Sequence, residues 1–105
     1  MTERDFKIAM ELKRRLEESV RLVDFRVFGS RVRGNEDEYS DMDVFIEVES
    51  IDRTLKERIF DITWEVGFIN FIVISPLIFT RDEIERSALK SSPIVRNIVA
   101  EGVSL

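Results

Sequence analysis

The sequence predicts an α+β domain, a small mixed β-sheet with helices packed on one side, spanning residues 1–105 as a single unit. Three observations predict it. Short apolar runs alternate with longer stretches of helical periodicity. The 105 residues suffice for one core, and a domain of this size hides roughly two-thirds of its unfolded surface. Hydrophobic residues make up 44% and charged residues 35%, a balance that suits a folded chain over a disordered one.

Residues 3 to 23 read as an amphipathic helix. Ala9, Leu12, Leu16, Val20 and Val23 recur three and four apart, with charges between them. Thr2 is positioned to cap its start. Phe25 to Phe28 form a short strand that stops at Gly29. Residues 30 to 40 are polar and carry Gly34 and Asn35, which predicts a helical turn and then a loop.

From Asp41 to Glu49 the pattern alternates. Met42, Val44, Ile46 and Val48 share one face, and Asp41, Asp43, Phe45 and Glu47 share the other, as in a strand. A second helix spans about Ile51 to Val66, with Ile51, Leu55, Ile59, Ile62 and Val66 on one stripe and Gly67 as its stop. Phe68 to Ile74, apolar except for Asn70, reads as a third strand covered on both faces. Thr80 with Glu83 three residues on is a capping-box signature for a short helix. Pro93 opens a last helix that Gly102 ends.

Composition removes several chemistries. With no Cys there is no disulfide and no thiolate nucleophile. With no His there is no imidazole base or triad. Metal chemistry must rest on carboxylates, hard ligands that favour Mg²⁺ or Mn²⁺. The net charge of −5 argues against nucleic acid as a partner; the basic run Lys13-Arg14-Arg15 stands by itself. No apolar stretch is long enough to span a bilayer. The N-terminus lacks a signal-peptide core, so the expected location is cytoplasmic.

The chemistry concentrates in Gly29-Ser30-Arg31-Val32-Arg33-Gly34 and Ser40-Asp41-Met42-Asp43. Asp41 and Asp43 lie two apart on a strand and point the same way, with Cα atoms roughly 6.5–7 Å apart. Two bare carboxylates at about 7 Å repel by roughly 2 kcal/mol at an effective dielectric of 20, and a divalent ion reverses that cost. Gly29 allows a sharp turn and close approach to a ligand. Ser30 offers a hydroxyl and a backbone N–H suited to a phosphate. Arg31 and Arg33 can neutralise phosphate oxygens, or pair with Glu36, Asp37 and Glu38. Each half alone also fits an ordinary turn or a solvated strand entrance; the pairing distinguishes them. It is not a Walker P-loop, since no Gly-Lys-Ser/Thr follows.

Together these residues resemble the DNA polymerase β-like nucleotidyltransferase superfamily. Its signature is Gly-Ser, about ten residues, then Asp-x-Asp. Here residues 31 to 40 separate Gly29-Ser30 from Asp41-Met42-Asp43. Gly-Ser-Arg-x-Arg-Gly with Ser-Asp-x-Asp looks like the minimal branch, and the tail from Ser92-Pro93 to Glu101-Gly102-Val103 is similar too.

The resemblance implies a nucleotidyltransferase-like fold. It implies Mg²⁺ held by catalytic Asp41 and Asp43, and ATP phosphates bound by Gly29, Ser30, Arg31 and Arg33. Minimal members are often encoded beside a helical HEPN-domain toxin, a ribonuclease, which they adenylylate on tyrosine as antitoxin. Many members carry a third carboxylate on the next strand. The expected register puts Asn70 there, with Glu47 or Glu65 as substitutes only if the fold brings them close.

Three functions compete on sequence. One is AMP transfer to a hydroxyl of a HEPN-domain protein. Another is a module that neutralises a partner by contact, with a catalytically weak or inactive site. The third is transfer to RNA or a small molecule, which the acidic charge and short length disfavour. A homo-oligomer is compatible with all three.

Overall fold

The computed structural model describes residues 1–34 and 40–105. Thr2 starts the first helix as expected. Its side chain accepts from the Asp5 N–H and the Asp5 carboxylate accepts from the Thr2 N–H, a reciprocal capping box over α1 (Glu3–Glu17). The helix stops six residues short of the expected Val23. Leu16 receives the Ser19 and Val20 N–H groups in a closing turn, and Val23 belongs to a longer strand, β1 (Leu22–Phe28).

A four-residue helix, α2 (Ser30–Arg33), follows, with Gly29 and Gly34 at its ends in positive φ. The Glu36–Glu38 loop expected on sequence lies outside the described residues. Strand β2 (Met42–Val48) comes next, then α3 (Arg53–Ile69), which Asp52 caps by accepting from the Leu55 N–H. Strand β3 is Ile74–Thr80. Thr80 and Glu83 form the expected capping box of α4 (Arg81–Arg86). A 3₁₀ turn, Ala88–Ser91, leads to α5 (Pro93–Glu101), with Gly102 at its C-terminal cap. Strand β4 (Val103–Ser104) is a two-residue addition.

The strand order is β3-β2-β1-β4. β1 runs antiparallel to β2 and β4, and β2 runs parallel to β3, so the sheet is mixed. Parallel neighbours need a crossover, which α3 supplies. The core joins Ile8, Ala9, Leu12 and Leu16 of α1 and Ile59, Ile62 and Val66 of α3 to one sheet face: Phe25, Val27, Met42, Val44, Ile46, Val48 and Ile74. Burying each such side chain contributes roughly 1.5–3 kcal/mol. The two long helices therefore share one side.

The other face carries Asp24, Arg26 and Phe28 of β1 opposite Glu47, Phe45 and Asp43 of β2. Phe45 is buried there, with its ring centroid 5.7 Å from that of Phe79. Arg26 donates to the Val99 carbonyl of α5, which brings the last helix against this second face.

The expected third strand is displaced. Phe68 and Ile69 continue α3, and pairing with β2 begins only at Ile74. Gly67 is not the stop. It is buried inside the helix, and a Cβ there would sit 2.7 Å from the Ile72 carbonyl oxygen. The helix ends with the Ile72 N–H on the Gly67 carbonyl and the Phe71 N–H on the Phe68 carbonyl. That Schellman arrangement puts Phe71, at φ 58, in the left-handed position usually held by glycine.

Candidate active site

The pairing of β1 with β2 brings the two halves of the motif together. Phe28 is directly opposite Asp43, so the turn at Gly29 opens onto the Asp43 carboxylate. Gly29 has φ 82 and ψ −153, a region essentially confined to glycine. A Cβ there would overlap Asp43 Oδ2. The bend thus provides both the backbone direction and the space for the carboxylate. The first N–H groups of α2, at Ser30 and Arg31, have no intrahelical acceptor.

Asp41 is exposed at the entrance of β2, and Asp43 is half-buried one pleat further on. Burial first, and the charge of Asp41 second, push the Asp43 carboxyl above its ordinary value of 3.8; Arg33 opposes them. The site thus has a carboxylate that gains from a nearby cation. The Arg33 side chain is exposed, with no hydrogen bond or ion pair among the described residues, while its backbone N–H donates to the Gly29 carbonyl.

Arg31 departs from its expected role. It is buried, and Nη1 donates to Asp5 Oδ1 at 2.6 Å in an ion pair. Its Nε and Nη2 both donate to the Ser40 carbonyl oxygen, at 3.1 and 2.6 Å. The guanidinium is committed within the protein and is not turned to phosphates. It clamps the backbone one residue before Asp41, and Asp5 ties that clamp to the start of α1. The sequence carried no local signal for this, since Asp5 and Arg31 are 26 residues apart and Asp5 reads as an ordinary first-turn acid.

Comparison with known proteins bears on this arrangement. The nucleotidyltransferase domain family matches residues 9–103. The chain belongs to that family. A search of curated proteins found no match. Two solved structures share the fold of this nucleotidyltransferase domain. A candidate nucleotidyltransferase from Sulfolobus solfataricus is 21% identical, with a TM-score of 0.55 over 97% of this chain and 82% of that one. A toxin–antitoxin structure with AMP-PNP is 16% identical, with a TM-score of 0.56 over 93% of this chain and 69% of that one.

The nucleotidyltransferase domain has no cluster of three or more acidic side chains suited to a metal among its described residues. Asn70 is not on the strand beside the pair. It caps the end of α3, where its amide donates to Val66 and Glu11. The β3 residue that reaches the pair is Ser75, opposite Asp43, whose hydroxyl donates to Asp41 Oδ2 at 3.2 Å. Glu65 is engaged by Arg15. Glu47 shares the face of Asp43 but lies four residues along the strand, roughly 13 Å away. Burial, followed by the charges of Asp24 and Glu85, raises its carboxyl in a separate environment; Arg81 opposes and Glu49 adds slightly. No helix among the described residues is long and apolar enough to cross a membrane.

Proposed function

We propose that this domain transfers AMP from ATP to a hydroxyl of a partner protein, acting in the cytoplasm as the antitoxin of a HEPN-domain toxin. The observation that carries the reading is the Gly29 turn seated against the Asp43 carboxylate, with Asp41 one pleat away. Family membership supports nucleotidyl transfer. The fold shared with a toxin–antitoxin structure containing AMP-PNP supports ATP and a protein partner.

Asp41 and Asp43 suit a Mg²⁺ ion, because both carboxylates lie beside Ser75 at the mouth of the Gly29 turn and supply hard oxygen donors. Asp41 and Asp43 would hold the ion through carboxylate oxygens, the hard ligands that Mg²⁺ prefers. When bound, the ion polarises the α-phosphate and offsets charge on the leaving pyrophosphate. Backbone N–H groups at Gly29 and Ser30 and the Ser30 hydroxyl hold phosphate oxygens, and Arg33 adds a positive charge beside them. The acceptor oxygen forms the new P–O bond as the α–β phosphoanhydride breaks. Pyrophosphate leaves with the bonding electrons, and the hydroxyl proton passes to solvent.

Ser75, standing beside Asp41 in place of an acid, favours a second reading. Without a third carboxylate to take the hydroxyl proton, transfer is slow and inhibition of the partner comes from contact. One experiment separates the two. A purified HEPN-domain protein is incubated with the domain, α-labelled ATP and Mg²⁺. Label on the partner that disappears with Asp41→Ala or Asp43→Ala supports transfer. Inhibition without label, indifferent to both changes, refutes it.

A further inference from the structure

Away from the Gly29–Asp43 cleft, α3 turns a row of aromatic rings to solvent. Phe60, Trp64 and Phe68 recur every four residues and are 45%, 66% and 67% exposed. Trp64 and Phe68 stack with centroids 5.0 Å apart and planes 11° from parallel. Two shallow grooves flank the indole. One, of about 280 Å³, is lined by Phe68, Ile72 and Val73; the other, of about 310 Å³, by Phe60, Asp61 and Pro76. Phe71 follows at the end of the helix, 92% exposed.

Phe71 is the decisive residue. Among the described residues it is the one non-glycine with positive φ, in a helix-ending position where glycine is free of strain. A bulky side chain there is a conformational outlier. The ring repays nothing by burial, because it is almost wholly in solvent. A strained backbone that displays an aromatic ring to water is accounted for by something that covers the ring.

We propose that this face of α3 and the α3–β3 turn is the docking surface for the acceptor protein of the nucleotidyl transfer. Three features favour that occupant. Fully exposed aromatic side chains carry roughly 150–250 Å² each. Four of them with Val73 therefore leave several hundred Å² of apolar surface, the order of one side of a standard protein interface at about 800 Å² per partner. The face also adjoins the transfer site: the Val73 carbonyl accepts from the Met42 N–H, and Ser75 reaches Asp41. A protein seated on the rings extends toward the two acids. Finally, Asp61 lines a groove without an ion pair among the described residues, on a chain of charge −5. That disfavours a polyphosphate strand. Exposed Lys56, four residues before Phe60, puts a cation on the same row. A partner surface with an apolar ridge edged by charges of both signs fits.

The docking site rests on the reading of this domain as a transferase acting on a protein, and binding is tested apart from chemistry. Sedimentation of the domain alone comes first. A dimer that Trp64→Glu dissociates would assign the face to a second copy and overturn the proposal. Calorimetric titration with the HEPN-domain protein follows. Trp64→Glu and Phe71→Gly should each weaken binding more than roughly tenfold, while Arg86→Ala on α4 leaves it unchanged. Phe71→Gly should at the same time raise the melting temperature by roughly 4–8 °C, because it releases the left-handed strain. Unaltered affinity in both aromatic variants, or no binding by the parent, refutes the docking site. Binding that depends on Trp64 without transferred label refutes the transferase and leaves the docking site standing.

Discussion

Asp5→Ala should unfold the domain far more readily than an ordinary first-turn substitution. The carboxylate is 1% exposed and its Arg31 partner 5%, with the charged atoms 2.6 Å apart. Removing one member of such a pair strands the other charge in the interior, at about 3–5 kcal/mol. The Thr2 N–H loses its carboxylate acceptor too, while the Thr2 hydroxyl still caps the Asp5 N–H, adding about 0.5 kcal/mol. Total stability for a chain of this length is on the order of 5–15 kcal/mol, so the melting point should fall by on the order of 15 °C or more. Chemical denaturation followed by circular dichroism measures this, and a loss below about 1 kcal/mol would refute the account of the pair. The double variant Asp5→Leu, Arg31→Met isolates the second role of the pair. Replacing a buried ion pair by apolar groups of similar size is often neutral, so stability should largely return. The Ser40 carbonyl would still lack both its guanidinium donors. Mn²⁺ and ATP titration should therefore remain weak, because Asp41 follows directly on Ser40. Parent-like binding in a stable double variant would show that the clamp does not position Asp41.

Asp43→Asn should stabilise the ligand-free domain at neutral pH. The native carboxyl titrates above 3.8 because of burial and Asp41, so the native state holds that proton more tightly than the unfolded chain. Stability is then lost as pH rises from 3.8 through the raised value. Melting curves across pH should show the Asn variant ahead above that window and level with the parent below it, and Mg²⁺ with ATP should stabilise only the parent. Gly29→Ala should destabilise by about 1–3 kcal/mol, from strain at φ 82 and displacement of the Asp43 carboxylate; parent-like denaturation and nucleotide binding would count against the turn. Thr80→Ala removes the cap of α4 and should cost about 1 kcal/mol in denaturant midpoint while leaving Mn²⁺ affinity alone.

The two halves of the candidate site were legible because each is a local pattern. Gly29-Ser30 marks a turn, and Asp41 with Asp43 fixes a strand face whatever lies elsewhere. Errors arose where an apolar run fits two periods. Val20 and Val23 satisfy helical spacing, yet the chain turns after Glu17 and Val23 enters β1. Phe68 to Ile74 reads as a strand, but its first residues are the exposed end of a helix. Pro76 hid the true strand, because proline inside a strand is confined mainly to edges, and β3 is the edge. That shift misplaced Asn70 and concealed Ser75. Arg31 was misassigned for a different reason. A basic residue beside a phosphate motif looks functional, and only the tertiary fold brings Asp5 to it. The two residues of β4 are too few to carry any periodicity.

Trp64 is the one tryptophan in the chain, and two-thirds of it faces water. Its emission should already be red-shifted in the native protein, so the intrinsic fluorescence change on denaturation should be small and should understate a cooperative transition. The same indole becomes a label-free optical reporter of anything that settles over it: a blue shift there records dehydration of this one face and no other event in the molecule.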